Sequence, residues 1–321
     1  MTTAATPSTN SADADAEKLP KPQSFYDVKG WFFNGDIVLF DWFLERQARL
    51  DQHGDLLEMG AYMGKSAIMM RSYLRDDETF TVCDLFDSDA PDEHNQSEMH
   101  GSYSTLTRRA FEANYLSFHD ELPRIIQAPT SVVPDEVEDD SCRFIHIDAS
   151  HLYEHVWPDI AAARNALKDD GIVVMDDYRS EHTPGVSCAV WQAVTEGDLK
   201  PICVSGQKFY GTWGDPKPVQ DELYKELKER GDCWLQMQEV AGHKLLLAVG
   251  KKAKRPALPV SKHAKSGAAK VARQATPAEA RNGAAPRAAV PAPASSRAKK
   301  LAKDLLPPIV TRAIVRSRKR R

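Results

Sequence analysis

The clearest pattern in the chain lies between residues 143 and 178. Two short apolar runs, 144–147 and 172–175, each end in aspartate: Asp148 after the first, Asp176 and Asp177 after the second. The segment between them has the length of a helix. Within it Tyr153, Val156, Trp157, Ile160 and Leu167 recur at helical spacing, and Asp170-Gly171 reads as the stop before the second run. Strand, crossover helix and strand make a right-handed unit with two parallel strands in one sheet. Neighbouring strands about 4.8 Å apart would gather the three carboxylates at one edge. That edge, beyond the carboxyl ends of the strands, is where open α/β sheets bind ligands. Three carboxylates so close cannot all stay ionised without a cation or a raised pKa.

The same reading extends to the rest of the chain. An aromatic cluster, Trp31, Phe32 and Phe33, precedes a helical stripe of Ile37, Phe40, Phe43 and Leu44, with Arg46 and Arg49 on the outer side. The aromatics suit packing on the sheet or a wall of the ligand pocket. A short strand ends at Glu58, a turn containing Gly60 and Gly64 follows, and residues 65–74 read as a helix. A second strand, 80–82, ends in Asp84. Residues 86–104 are long, polar and acidic, and fit part of a substrate entrance; His94 and His100 there read as solvated. Then come a helix over 105–118, a strand over 124–128, a helix over 187–195, a strand over 200–204, a helix over 217–230, and a hairpin of 234–240 with 243–249. The expected fold is α/β: a doubly wound, mostly parallel seven-stranded sheet with a C-terminal antiparallel hairpin.

Charge divides the chain where periodicity fades. Of its 42 Lys and Arg residues 20 lie from Lys251 onward, against 2 of its 46 Asp and Glu residues, so a tail of +18 follows a body of −22. The expected organisation is a disordered N-terminus (1–22), one domain (23–250), a disordered basic Ala/Pro-rich linker (251–296) and a basic amphipathic end (297–321). That end suits a solvated linker, an anionic membrane surface or another polyanion; specific nucleic-acid recognition is not expected. Five dispersed cysteines without a CxxC pair argue against a disulfide framework and a cysteine zinc site. No apolar run approaches the roughly 18 residues of a membrane span. The N-terminus has no secretory pattern, so the expected home is the cytoplasm, with the basic end as a point of contact with the inner membrane surface. The sequence leaves a homo-oligomer open.

Several side chains carry candidate chemistry. Gly60 permits positive φ and a close approach of backbone to ligand, and the helix behind the turn offers free N–H groups. Glu58 would repel a phosphate but suits a ligand with a cationic amino group. Asp84, about 20 residues beyond the glycine turn, is placed to accept from ribose hydroxyls. Ser131 follows a strand end and suits an adenine edge. His151 and His155 have the i, i+4 spacing of a zinc pair but lack the remaining ligands; His146 reads as buried and structural. The turn lacks GxGxxG, which weakens a dinucleotide oxidoreductase.

These residues resemble those of the class I S-adenosylmethionine-dependent methyltransferases over about residues 26–250. Within that class they look like the metal-dependent sugar O-methyltransferases of the macrocin type. Glu58-Met-Gly60-Ala61-Tyr62-Met-Gly64 matches the family's acidic-x-Gly-x-x-x-Gly motif, with Ser66 just behind it; Asp84 matches the ribose acid. Asp148-x-x-His151 and Asp176-Asp177 match that branch's metal and base positions, and Gly30-Trp31 its N-terminal segment. Tyr62 departs from the pattern, standing where many members have glycine. The resemblance implies a Rossmann-like fold, S-adenosylmethionine held by Glu58, Gly60, Ala61, Tyr62, Gly64, Ser66, Asp84, Ser131 and Asp148, and Mg²⁺ on Asp148, Asp176 and Asp177. It implies His151 as base, and methyl transfer to a hydroxyl of a sugar, glycan or other polyhydroxylated small molecule. A metal-independent class I methyltransferase and a non-catalytic binding protein attached through its tail are the alternatives.

Overall fold

The computed structural model describes residues 19–89 and 106–265. His94, His100, most of the expected entrance segment and the basic end lie outside the described residues.

Strands and helices alternate through most of the chain. In order they are α1 (Asn34–Arg49), β1 (Asp55–Met59), α2 (Lys65–Arg71), β2 (Phe80–Asp84), α3 (Arg108–Leu116), β3 (Arg124–Gln127), α4 (Val133–Glu136), β4 (Cys142–Ile147), α5 (Tyr153–Ala166) and β5 (Leu167–Met175). The series continues with α6 (Pro184–Glu196), β6 (Lys200–Val204), β7 (Phe209–Thr212), α7 (Pro216–Arg230), β8 (Trp234–Val240) and β9 (His243–Val249). One sheet takes all the strands in the order β3-β2-β1-β4-β5-β7-β6-β9-β8. The five strands β3 to β5 are parallel, and β7 runs antiparallel between β5 and β6.

The sheet therefore has nine strands among the described residues, not seven. Eight of the nine are segments that the pattern marks, one more than the seven-stranded sheet expected, and the strand it passes over is β7. It is four residues long and interrupted by Gly211, too short to show alternation, and β5 and β6 specify it from either side. A second difference concerns Asp170-Gly171. They do not close a helix: α5 ends at Ala166 and β5 begins at once with Leu167, so the pair lies inside the strand. The pairing of β4 with β5 runs from Cys142–Leu167 to Ile147–Met175 and absorbs these residues as an irregularity in register.

Alternation along the strands separates two cores. Leu56, Phe144, Ile172 and Val174 face the side covered by α1, α2, α3 and α7; Leu57, Ile145, Val173 and Met175 face α5 and α6. The stripe of Ile37, Phe40, Phe43 and Leu44 on α1 is buried, as its spacing predicts. Polar residues follow the same alternation, so Glu58 and His146, paired in register on β1 and β4, share the face under α1.

Packing continues past Gly250, where the charge asymmetry puts the boundary. Asn34 donates to the carbonyls of Gly250 and Ala253 at 2.9 Å each. Ala253 is buried, the Ser261 hydroxyl donates to Pro22 O, and Lys262 N donates to Ser117 O. Hydrogen bonding to the body, which charge counting ignores, carries the chain to about residue 264. No helix among the described residues is long and apolar enough to cross a membrane.

Asp159 gives this packing a pH signature. On α5 it is buried, and its Oδ2 has no partner among the described residues. Burial raises its carboxyl to about 6, against the opposing effects of Thr130 and His155. An acid raised in the fold holds its proton more firmly there, so stability falls as pH rises from about 4 to about 6, and the deficit persists above that. Asp159→Asn should stabilise the protein at pH 7.5 by up to about 3 kcal/mol, the gain shrinking toward pH 4. Urea unfolding at the two pH values reads the difference.

Candidate active site

The order of the sheet reverses between β1 and β4, because the chain builds outward from β1 to β2 and β3 and then returns to place β4 on the other side. Such a reversal opens a crevice at the carboxyl ends of the two central strands. Here Gly60 follows β1 and Asp148 follows β4. Asp148 N donates to Met59 O, and Gly60 N donates to Cys83 O, both at 2.7 Å. The two chains pass so closely that a Cβ on Gly60, whose φ is +82°, would be driven into the Asp148 carbonyl. A cavity of about 490 Å³ opens over this crossing, a size usual for a small-molecule or cofactor site.

One side of the cavity is the glycine turn. Gly60, Ala61, Tyr62, Ser66 and Asp84 line it. Asp84 Oδ2 accepts from Ala61 N at 2.6 Å and Tyr62 N at 3.0 Å, and Oδ1 accepts from Phe86 N at 2.6 Å. The carboxylate that matches the ribose acid therefore also ties the turn to β2. Burial raises its pKa and these backbone hydrogen bonds lower it. Tyr62 stands at φ +49°, in the left-handed region that glycine adopts without steric cost. The left-handed conformation costs a non-glycine residue about 1–2 kcal/mol, and Tyr62 is held there by its N–H to Asp84 and by stacking on Trp31, ring centroids 5.5 Å apart. Trp31, Phe32 and Phe33 form the wall over the turn, so the aromatic cluster serves the cavity as well as the core.

Three expected cofactor residues stand elsewhere. Gly64 is the left-handed N-cap of α2, with Phe111 packed where a Cβ would go; it shapes the turn from outside the lining. Ser131 is exposed in the short 3-10 turn of Thr130–Val132, which brings Thr130 to the cavity instead. Glu58 is fully buried beneath the lining. Its Oε1 lies 2.8 Å from His146 Nδ1, while Oε2 has no hydrogen-bond partner among the described residues. Burial raises Glu58 to about 8, with Ser66 and the Lys208 charge pulling the other way.

The acidic edge also lines the cavity. Asp148, Asp176, Asp177 and His151 all line it, as their positions at the strand ends predict. Asp177 and His151 form a pair, Oδ2 to Nε2 at 3.0 Å, and the Ser180 hydroxyl donates to Asp177 Oδ1. Burial alone would raise Asp177; the bonds from His151 and Ser180 outweigh it and hold the carboxyl at about 2. Burial and the neighbouring Asp176 push Asp148 well above the usual carboxylate range.

Lys208 joins this edge without any signal in the hydropathy pattern. It is 1% exposed, and its ammonium pairs with Asp176 Oδ2 and lies 3.1 Å from His146 Nε2. The cause is register. On antiparallel β5 and β7, Val174 faces Tyr210 and Met175 faces Phe209, so the next pair along is Asp176 with Lys208. Burial would lower the Lys208 pKa, but the charges of Asp176, Asp148 and Asp36 raise it, so the group stays cationic. His146, held low by burial and by Lys208, is neutral.

The donor set does not fit Mg²⁺ as the aspartate pattern implies. The atoms within 4.8 Å of one another belong to His146, Asp148 and Asp176, whereas Asp177 is engaged by His151 and Ser180. The Lys208 ammonium is bonded within that group. At about 4 Å and an effective dielectric near 20, it would oppose a dication by roughly 8 kcal/mol. A nucleoside cofactor fits better, since Gly60, held against the backbone of residues 148–149, and Asp84 line the cavity with a cradle of backbone and one carboxylate.

That cradle yields a direct expectation. Gly60→Ala should abolish calorimetric binding of S-adenosylhomocysteine and cost about 2 kcal/mol or more of stability. Gly206→Ala, where a Cβ meets nothing within 4 Å, should leave both unchanged.

The geometry agrees with comparisons to known proteins. Residues 57–178 match a family described as a methyltransferase domain. The span starts in β1 and ends just past β5, so it contains the glycine turn, Asp84 and the acidic edge. No curated protein matches the chain. Among solved structures, the O-methyltransferase NovP is 21% identical over 56% of this chain and 80% of its own, with a TM-score of 0.48. CalS11, a TDP-rhamnose 3'-O-methyltransferase of calicheamicin biosynthesis, is 18% identical over 56% and 79%, with a TM-score of 0.39. TomG from Streptomyces achromogenes, solved with its methyl donor, is 14% identical over 55% and 80%, with a TM-score of 0.37. Residues 57–178, which contain the glycine turn at the sheet reversal, form a methyltransferase domain.

Proposed function

We propose that the protein transfers a methyl group from S-adenosylmethionine to a hydroxyl of a sugar or another polyhydroxylated small molecule. One observation carries this reading: the glycine turn and the His151–Asp177 pair line a single cavity. The sulfonium carries the reactive methyl, so the hard chemistry belongs to the cofactor. The protein has to align an oxygen with that methyl and remove its proton. As the O–C bond forms, the S–C bond breaks with its electron pair on sulfur, and the hydroxyl proton passes to His151. With Asp177 accepting from Nε2–H, Nδ1 is the basic nitrogen, and the ionised Asp177 steadies the imidazolium that results.

Polarity supports the acceptor class. Ser150, Ser180, His182 and Gln207 line the cavity beside the acids, a set of donors and acceptors suited to several hydroxyls on one ring.

Transfer of labelled methyl to a panel of nucleotide sugars, free hexoses, catechols and amines tests this proposal. Labelled ether is expected with a sugar diol, and labelling of amines alone would refute it. Asp177→Asn should lower the rate by about 10²–10⁴-fold while S-adenosylhomocysteine still binds.

A further inference from the structure

The acidic edge carries its own cation. Lys208 Nζ pairs with Asp176, faces His146 Nε2 at 3.1 Å and lies 5.7 Å from the Phe32 ring centroid. An ammonium has donors and no acceptor, so the His146 nitrogen facing it presents its lone pair. The proton of the neutral ring is then on Nδ1 and points to Glu58 Oε1 at 2.8 Å. Both ring nitrogens are spoken for, and His146 has no lone pair left for a metal. Asp176 is engaged on both oxygens: Oδ1 accepts from Asp177 N at 2.7 Å, and Oδ2 accepts from Lys208. Of the three side chains whose ligand atoms converge, His146 is closed to a metal and Asp176 already holds an ammonium, whose charge opposes a dication beside it.

We propose that the Lys208 ammonium is the resident cation of the acidic edge, pairing with Asp176 beside the acceptor in place of a divalent metal. This inference rests on the methyl-transfer reading for its purpose, but its test does not. A metal at such an edge would neutralise the acids, orient the hydroxyl and acidify it. Lys208 does the first from below. Asp148 and Asp176, both on the cavity, accept from the hydroxyl and orient it. His151 takes the proton as the O–C bond forms, and the S–C electron pair stays on sulfur, so charge balances without a Lewis acid. Asp36, which accepts from Tyr210 at 2.8 Å, lies under the same face. Lys208 thus acts through Asp176 as a positioning residue.

The experiment is a titration of the full chain with Mn²⁺, read by electron paramagnetic resonance, with S-adenosylhomocysteine present. Wild type and Lys208→Arg should both bind Mn²⁺ about 100-fold or more weakly than Lys208→Met, in which Asp148, Asp176 and His146 are released to ligate. Adding Asp176→Asn to Lys208→Met should remove the new site. Tight stoichiometric Mn²⁺ binding by wild type, lost in Asp176→Asn, would overturn the proposal. So would the absence of a new site in a Lys208→Met protein that still binds S-adenosylhomocysteine. If Lys208→Met does not fold, the wild-type titration with its Asp176→Asn control decides alone. Failure of wild type to bind S-adenosylhomocysteine would count against the methyltransferase reading and leave the Mn²⁺ comparison intact.

Discussion

The cross-strand pair of Asp176 with Lys208 is the constraint around which the site is arranged. The sheet brings Asp148, Asp176 and Asp177 to one edge, with Asp36 and Glu58 beneath. So many carboxylates in a poorly solvated place would repel one another and drive up their pKa values. One ammonium, delivered by β7 in register with the end of β5, relieves this. Replacing a buried ion pair with apolar side chains is often neutral for stability, so its presence here points to function. The pair sets a buried ammonium against a carboxylate that lines the cavity.

A line of polar side chains continues from it. Lys208 faces His146, His146 faces Glu58, and Glu58 lies behind the turn that carries Gly60 and Ser66. The cofactor side and the acceptor side of the cavity thus rest on one buried network spanning β1, β4, β5 and β7. Above it, Asp84 ties the turn to β2, and the His151–Asp177 pair sits at the open side of the acids.

Much of this was legible in the sequence, for reasons that differ by residue. The 143–178 unit was clear because its strands are apolar runs with acids at their ends, and parallel strands put those ends on one edge. Gly60, Asp84, Asp148 and His151 follow from position alone. Lys208 did not, because β7 is four residues long and its partner is a neighbour in space, 32 positions away in sequence. His146 was readable as buried, but its bond to Glu58 depends on β1–β4 register. Ser131 was misplaced by a turn that presents Thr130 in its stead, and Glu58 lies one layer deeper than a contact residue would. The boundary near Gly250 came from charge, whereas residues 251–264 are held by backbone and hydroxyl hydrogen bonds that composition does not encode.

A crystal structure of the full chain with S-adenosylhomocysteine tests the central claim most directly. The ribose hydroxyls are expected on Asp84, the adenine beside residues 128–130, the homocysteine end over the turn at 60–66, and the sulfur directed at Asp148 and His151. A cavity that stays without the nucleoside, or a nucleoside whose sulfur faces away from the acidic edge, would contradict it.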